Sequence, residues 1–315
     1  MKRHITTLAL FFVCALLSAC HSTRLGGDRA VRVGTYNIRL SPGDRGTPNA
    51  WEARRDDLVQ LVRQMDLDVF GMQEVCPDQA AFLQQALPEF TLVGDHREAD
   101  RKSGEASPVA FRTDRFTALK GGTFWLSETP DVPASKSWNT ACTRICTWVI
   151  LQDNRTRKLF CFANTHTDHK SEEAREKGML LVLERMKEFG RGLPVVFTGD
   201  HNCRETEAPA LAVAKQLNNA LYASETLPTG PWRTFNGWNF RAKEPAILTA
   251  LMMTPGERNV GGNQPFALQC GGSRIDYIYV SKDVRVLNYE THGEVRPGTQ
   301  LYPSDHFPCA ATVTF

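Results

Sequence analysis

The chain contains 315 residues, of which 42% are hydrophobic and 23% are charged. These proportions are ordinary for a soluble globular protein and exclude an intrinsically disordered chain, and the length suffices for one large domain or two small ones. Without its first 19 residues, which include Lys2 and Arg3, the chain has 35 basic and 35 acidic residues. A protein that grips long DNA or RNA usually carries a basic surplus, so this balance disfavours a nucleic-acid binder.

The first twenty residues predict an export signal rather than part of the fold. Lys2 and Arg3 precede an apolar run over residues 6–17 that is too short to remain as a membrane-spanning helix. The following Leu-Ser-Ala-Cys20 string resembles a bacterial lipobox, whose cysteine is lipidated. We therefore expect a signal peptide over residues 1–19, a tether over 20–30, and an extracytoplasmic protein anchored to a bacterial membrane through Cys20. A plain secretory signal or a buried helix is the alternative.

Short β-type runs recur from residue 31 to the C-terminus, with helical periodicity between several of them. The predicted strands are 31–38, 67–72, 109–112, 146–151, 159–164, 195–198, 275–280 and 309–315. Helices are predicted over 51–65, with Leu58, Leu61, Val62 and Met65 on one face, and over 172–189, with Leu180, Leu183, Met186 and Phe189 on one face. Strands and helices intermix without a repeat or a low-complexity linker, which predicts a single α/β domain over 31–315 whose strands are buried on both faces.

Residues 226–258 differ from the rest of the chain because they combine prolines with aromatic side chains. A loop this long in a compact domain is usually functional or poorly ordered, so we expect it to face a substrate. Its distinctive residues are Pro228, Pro231, Trp232, Phe235, Trp238, Phe240, Pro245 and Pro255.

Seven cysteines remain once Cys14 leaves with the signal and Cys20 is lipidated, and an odd number cannot pair fully. Cys161 and Cys309 lie in apolar strand-like runs and are predicted to be buried thiols. Cys76 and Cys203 each follow a polar motif directly, so a disulfide between these two is one possibility.

Polar residues follow the apolar strands at their downstream ends, which is where open α/β sheets bind their ligands. Each residue alone has an ordinary structural explanation: an asparagine or aspartate in a turn, a glutamate at a helix start, a satisfied buried histidine. Together they indicate an active site. The set comprises Asn37, Glu74, His166, Asp200, Asn202, Asp276, Asp305 and His306.

In these motifs the chain resembles the endonuclease/exonuclease/phosphatase superfamily, which contains DNase I-like nucleases and several phosphatases. The motifs are Thr-Tyr-Asn37-Ile, Gln-Glu74, Asn-Thr-His166, Gly-Asp200-His-Asn202, Arg-Ile-Asp276-Tyr and Ser-Asp305-His306. The resemblance covers residues 31–315. It implies a four-layer α/β sandwich in which helices flank two packed mixed β-sheets.

The resemblance also implies roles for these residues in the hydrolysis of a phosphate ester. Glu74 is expected to bind Mg²⁺ or Mn²⁺, with help from Asn37 and Asp305, because these hard cations favour oxygen ligands. Asp200 orients or deprotonates the attacking water, and Asn202 hydrogen-bonds that water or the phosphate. His306 contacts the scissile phosphate while Asp276 fixes its tautomer, and His166 protonates the leaving group.

One residue departs from the family pattern, since His201 stands where an apolar residue is usual. Strand alternation predicts that its side chain points away from those of Asp200 and Asn202, into a less apolar niche or toward His169 or Asp168.

Several further residues have both a functional and a structural interpretation. Asp168 and His169 either contact substrate near the metal or, for Asp168 as for Ser171, cap the following helix. Arg144 either clamps an anionic substrate or forms a structural ion pair. Trp232 and Trp238 either stack on a base or sugar ring or pack locally.

The sequence as a whole favours a monomeric, metal-dependent phosphoesterase that acts on a small, glycan-linked or lipid-linked phosphate ester outside the cytoplasm. A nuclease is the alternative among enzymes. A catalytically silent binding protein on the same scaffold is the alternative of another class, although all eight motif positions retain the expected chemistry.

Overall fold

A computed structural model of the chain describes residues 25–239, 246–252 and 274–315. The predicted signal peptide, Cys20, Cys270 and the Phe240, Pro245 and Pro255 positions of the aromatic loop lie outside the described residues. Among the helices within these ranges, none combines the length and the apolar character that crossing a membrane requires.

Twelve strands in the described residues form two six-stranded mixed sheets. They are β1 (Val31–Asn37), β2 (Val69–Gln73), β3 (Phe90–Val93), β4 (Val109–Arg112), β5 (Phe116–Trp125), β6 (Ile145–Asp153), β7 (Leu159–His166), β8 (Val195–Asp200), β9 (Asn218–Asn219), β10 (Asp276–Val280), β11 (Arg285–Thr291) and β12 (Cys309–Thr314). The first sheet has the order β11-β12-β1-β2-β4-β3, and the second has the order β5-β6-β7-β8-β10-β9.

The described residues also form six α-helices, of which the first four cover the outer faces of the two sheets and the last two pack against the core between the sheets. They are α1 (Trp51–Gln64), α2 (Pro77–Ala86), α3 (Glu172–Gly190), α4 (Ala208–Ala214), α5 (Ala220–Ala223) and α6 (Ile247–Leu251). One core lies between the sheets, a second joins the first sheet to α1 and α2, and a third joins the second sheet to α3 and α4. On β7, Phe160 and Phe162 enter the core between the sheets whereas Cys161 and Ala163 enter the outer core. This alternation confirms the four-layer α/β sandwich with strands buried on both faces.

The eight predicted strands and both predicted helices are present, with ends within two residues of the predicted ones. The elements that prediction missed are mostly short or at sheet edges. For example, β5 exposes most of its middle, so it lacks the apolar run that marks the other strands.

The predicted apolar face of α3 is partly wrong. Leu183 and Met186 are buried, but Leu180 is 39% exposed, and Met179 and Val182 take the buried positions. The buried face of this helix therefore keeps Leu183 and Met186 and includes Met179 and Val182 in place of Leu180.

Cys76 and Cys203, which the sequence left open as a disulfide pair, are both free buried thiols. Cys76 lies at the N-terminus of α2, whereas Cys203 packs in the outer core of the second sheet. Cys161 and Cys309 are buried thiols as predicted.

The two sheets approach each other most closely beside the predicted site, where Gly71 of β2 faces Asn164 of β7. A Cβ atom at position 71 would lie 2.1 Å from Asn164 Oδ1, so only glycine fits. The same Oδ1 accepts a hydrogen bond of 2.7 Å from Gln73 Nε2, and Asn164 Nδ2 donates to the carbonyls of Met72 and Pro108. This buried polar bridge fixes the ends of β2 and β7 relative to each other.

Candidate active site

Strand pairing places three of the predicted residues side by side at one end of the second sheet. In the register of parallel β7 and β8, His166 pairs with Asp200, and in antiparallel β8 and β10, Asp200 pairs with Asp276. Paired residues on neighbouring strands project to the same face, so an imidazole and two carboxylates converge there. All three side chains are buried.

Asp200 Oδ2 lies at the centre of this group. It accepts a hydrogen bond of 2.9 Å from Asn37 Nδ2 on the first sheet, and it lies 3.4 Å from His166 Nε2 and 3.7 Å from His306 Nε2. Its partner oxygen, Oδ1, accepts from the backbone N–H of Asn202 at 3.0 Å. One carboxylate oxygen therefore contacts groups from both sheets and from the C-terminal segment.

The first sheet contributes Glu74, which directly follows β2. Its backbone has a left-handed φ of 62°, rare for a non-glycine residue, which turns the chain sharply after the strand. The two carboxylate oxygens accept hydrogen bonds of 3.0 Å from Asn37 Nδ2 and 2.9 Å from the Leu40 N–H. Asn37 thus bridges Glu74 and Asp200, while its own Oδ1 accepts from the Arg39 N–H at 3.0 Å.

The segment before β12 supplies Asp305 and His306. The Asn236 and Gly237 N–H groups donate to the Asp305 carbonyl, and Ser304 Oγ donates to the Asn37 carbonyl, which ties this segment to β1. Asp305 Oδ2 lies 3.6 Å from Arg39 Nε. His306 Nδ1 donates to Asp276 Oδ2 at 2.9 Å, so Asp276 orients the ring.

The two site histidines differ in charge. Burial alone would lower the pKa of His306, but the carboxylates of Asp276 and Asp200 outweigh it and raise the pKa above 6.5. Burial lowers the pKa of His166 well below 6.5, and the Arg144 guanidinium lowers it further. At neutral pH His306 is therefore a cation, whereas His166 is neutral and accepts a hydrogen bond at Nε2 from Asn202 Nδ2 at 2.9 Å.

The two buried aspartates that face the cleft bind protons more tightly than ordinary aspartates. Burial raises the pKa of Asp200, and the neighbouring Asp276 carboxylate raises it further. Burial also raises the pKa of Asp305; nearby His306 lowers it and nearby Glu74 raises it. Burial is thus the main reason why both carboxyl groups hold a proton more tightly than usual.

These residues surround a cleft of about 570 Å³. The predicted residues that line it are Glu74, Arg144, His166, His169, Asp200, Asn202, Asp305 and His306; Asn37 and Asp276 support them from behind. Residues that were not predicted also line it, namely Arg39, Leu40, Arg97, Glu105, Cys142, Phe235 and Ile275. Arg97 and Glu105 form an ion pair of 2.9 Å, and they lie in a polar segment that carries no strand-end signal.

Asp168 serves the loops beside the cleft rather than the cleft itself. Its Oδ1 accepts from the N–H groups of Lys170 and Ser171, and its Oδ2 accepts from Thr140 Oγ1 and the Ala141 N–H. Ser171 is the N-cap of α3, since its Oγ accepts from the Ala174 N–H at 3.1 Å. Of the two interpretations of Asp168, the structural one fits these contacts.

The aromatic loop reaches the cleft through Phe235 and not through its tryptophans. The prediction that Trp232 contacts substrate is wrong, because Trp232 is fully buried in the core between the sheets. Trp238 lies 5.6 Å from the Arg54 guanidinium and is not among the described residues that line the cleft. Phe235 is 39% exposed, and its ring centroid lies 5.0 Å from that of His306.

His201 points away from Asp200 and Asn202, as strand alternation predicts, but it reaches neither Asp168 nor His169. Its ring stacks on Tyr279 at 5.7 Å and also contacts Phe197 and Tyr277. Neither ring nitrogen has a hydrogen-bond partner among the described residues, and burial lowers the pKa of His201 to about 3. The histidine therefore replaces the usual apolar residue as a neutral ring.

Comparison with known proteins agrees with this architecture. The Endonuclease/Exonuclease/phosphatase family profile matches residues 34–306. A mannosyl-6-phosphatase from Bacteroides thetaiotaomicron is 33% identical, with a TM-score of 0.76 over 90% of this chain and 100% of that one. A structure from Bacteroides vulgatus, described as an endonuclease/exonuclease/phosphatase, is 32% identical, with a TM-score of 0.77 over 91% of this chain and 99% of that one.

A curated relative comes from Acanthamoeba polyphaga mimivirus and is described as the uncharacterized protein R895. It is 25% identical over 54% of this chain, and the match spans only 30% of the viral protein.

Proposed function

The chain belongs to the Endonuclease/Exonuclease/phosphatase family, and on that basis we propose that it is a metal-dependent phosphoesterase that removes a terminal phosphate from a sugar phosphate. The observation that carries the proposal is the convergence on Asp200 Oδ2 of groups from both sheets, beside the Glu74 and Asp305 carboxylates. Hydrolysis of a phosphate ester needs charge neutralisation, an activated water and an oriented phosphate, and this cleft offers residues for all three.

The donor chemistry of the cleft fits Mg²⁺ or Mn²⁺. The Glu74 and Asp305 carboxylates line the same cleft and lie near enough for Glu74 to raise the pKa of Asp305, and hard divalent cations favour such oxygen ligands. Such a cation supplies neutralisation of the charge on the phosphate oxygens when it is bound. Asn37 donates to Glu74 and Asp200, so we assign it to positioning these carboxylates and leave the metal to Glu74 and Asp305.

A second group with ligand-type atoms lies nearby, since Asp200, Asp276 and His306 bring such atoms within 4.8 Å of one another. We assign this group to water activation and phosphate binding instead. His306 Nδ1 already donates to Asp276, and the positive charge of the ring suits a phosphate oxygen better than a metal.

Asp200 is the proposed base. Its raised pKa suits it to take a proton from water as the water oxygen bonds to phosphorus and the bond to the sugar oxygen breaks. The departing sugar oxygen takes a proton from solvent, and Asp200 later returns its own proton to solvent. His306 stabilises the charge on the phosphate during this step. His166 is neutral and accepts from Asn202, so we assign it to holding Asn202 and Asp200 in place of its predicted role as acid.

Two observations support a phosphorylated sugar as the substrate. A solved structure that is 33% identical over 90% of this chain is named a mannosyl-6-phosphatase. Phe235 offers a half-exposed ring at the cleft, and aromatic rings commonly stack on the apolar faces of sugars.

The test is hydrolysis of mannose 6-phosphate and p-nitrophenyl phosphate by the purified protein with Mg²⁺, with Mn²⁺ and with EDTA. We expect turnover that EDTA abolishes, and a loss of about 1,000-fold in kcat/KM for Glu74→Gln. Direct Mn²⁺ binding should weaken in the same variant. Glu225→Gln, which alters an exposed ion pair with Arg285, is the matched control. No turnover of either ester, or turnover unaffected by Glu74→Gln, would reject the proposal.

We further propose that residues 31–315 act outside the cytoplasm, tethered through residues 20–30 to a lipid on Cys20. The basic start, the apolar run and the Leu-Ser-Ala-Cys20 string support this. Labelling of bacterial cells with an alkyne fatty acid should modify the expressed protein, and Cys20→Ala should lose the label. Cys14→Ala is the control and should keep it. Equal labelling of both variants would contradict the anchor.

A further inference from the structure

Arg144 is a buried cation with almost no partner. It directly precedes β6, is 6% exposed, and lines the cleft. Its one hydrogen bond to the described residues runs from Nη2 to His169 Nδ1 at 3.1 Å, and its Nε is buried without an acceptor. Across the described ranges, no carboxylate oxygen lies within the 4.0 Å of an ion pair with it.

The other buried arginines show what such a group normally has. Arg54 donates to four backbone carbonyls at 2.6–3.0 Å. Arg115 binds the carboxylates of Asp68 and Asp153 through its two terminal nitrogens, although its Nε, like that of Arg144, has no acceptor. The two arginines therefore differ in their carboxylate partners. A guanidinium carries five N–H donors, and burying it without acceptors is costly. The Glu105 carboxylate is near enough for the Arg144 charge to lower its pKa, but it lies beyond the 4.0 Å of an ion pair with Arg144. Arg144 therefore lacks an anion in direct contact.

The missing anion belongs at the phosphate position. Apart from burial, the charge of Arg144 lowers the pKa of His166 more than any other charge does. His166 Nε2 in turn lies 3.4 Å from Asp200 Oδ2. His169 accepts from Arg144 at Nδ1, so its proton is on Nε2 and both residues present donors at the cleft. Arg97, by contrast, is already paired with Glu105.

We propose that Arg144, held by His169, binds the phosphate oxygen that a diester would carry as a second ester, and thereby selects monoesters over diesters. The inference rests on the proposed function. A terminal phosphate carries a charge between about −1.5 and −2 at pH 7, whereas a diester carries a single charge. A guanidinium fork matches two free phosphate oxygens. A monoester has three free oxygens, so two remain for Arg144 when a metal holds the third, whereas a diester in the same position leaves only one.

The test compares p-nitrophenyl phosphate with methyl p-nitrophenyl phosphate, which share a leaving group and differ only in the methyl ester. Arg144→Met should lower kcat/KM for the monoester by about 100-fold and for the methyl diester by less than about 5-fold. Arg144→Lys keeps the charge but loses the fork, so its monoester loss should be about 10-fold. His169→Ala should shift the ratio in the same direction by a smaller factor.

Arg285→Met is the matched control, since Arg285 is exposed and remote from the cleft. Equal losses on both esters in Arg144→Met would overturn the inference while leaving the phosphoesterase proposal intact. If the unmodified protein hydrolyses neither ester, the proposed function fails instead. Inorganic phosphate supplies an independent readout: it should inhibit the unmodified protein at least about 10-fold more strongly than Arg144→Met, and equal inhibition would count against the inference.

Discussion

The two ends of the sandwich differ in how their buried charged side chains are paired. At the end where β1 and β2 begin, which we call the closed end, Arg115 binds Asp68 at 2.9 Å and Asp153 at 2.8 Å, and all three are buried. At the cleft end, where the same strands finish, no described carboxylate lies within ion-pair distance of Arg144, and Asp200, Asp276 and Asp305 share the cations His306 and Arg39. The closed end is balanced for stability, whereas we propose that a metal and a phosphate complete the cleft end.

We expect the largest loss of stability from removing Arg115, the cation of the closed end. Arg115→Met would leave Asp153 buried without its cation and Asp68 with only Arg112, 3.8 Å away, which costs about 3–5 kcal/mol of unfolding free energy. Urea unfolding measures this loss, and kcat/KM of the folded protein should stay unchanged. Arg63→Met, at an exposed ion pair with Glu89, is the control. A loss below about 1 kcal/mol would show that the closed end does not depend on this charge network.

At the cleft end, Asp276→Asn should lower catalysis through its effect on His306. Asp276 orients His306 and keeps it charged, while its own Oδ1 is buried without a hydrogen bond. We expect kcat to fall by about 100-fold, equivalent to about 2.7 kcal/mol. In a His306→Ala background the same substitution should cause little further loss, because Asp276 acts through that ring. Additive losses would refute this positioning role.

The motif residues of the site could be predicted from the sequence better than the other residues that line the cleft, and the reason is physical. Residues that end apolar strands, such as His166 and Asp200, are carried to one place by strand pairing, so their spacing along the chain matters little. Arg97 and Glu105 lie in a polar segment without periodicity, and only tertiary packing brings them to the cleft.

The aromatic loop shows the same limit at the level of single side chains. Its composition predicted a substrate-facing segment, but nothing in the order of Trp232 and Phe235 indicates which ring enters the core. The structure buries the larger ring and leaves Phe235 at the cleft. Composition can locate such a loop, while the direction of each side chain depends on the fit against the finished core.

Asp168 lies at the cleft end, but both of its carboxylate oxygens accept hydrogen bonds from the protein. It therefore tests whether a charge at this end that has its partners behaves like those of the closed end. Burial alone would raise its pKa, but the N–H donors of Ser171 and Lys170 outweigh burial and lower the pKa to about 2. A carboxylate whose pKa is lowered by folding stabilises the protein above pH 3.8, and this contribution is lost as the pH falls toward 2. Asp168→Asn should therefore cost about 2 kcal/mol at pH 7 and distinctly less at pH 3, measured by urea unfolding. An equal cost at both pH values would contradict the charge-based account.

The smallest effect, and the sharpest test of the comparison, is expected from Arg144→Met. The substitution matches Arg115→Met in chemistry and in the burial of the side chain, but it leaves no buried carboxylate without its cation. Removing a buried charge that lacks a carboxylate partner also removes its desolvation cost, so the unfolding free energy should change by less than about 1 kcal/mol in either direction. Inorganic phosphate at saturating concentration should then stabilise the unmodified protein more than the variant, because the ligand supplies the partner that Arg144 lacks. If Arg144→Met instead destabilises the protein as much as Arg115→Met does, Arg144 holds the cleft wall together and the contrast between the two ends fails.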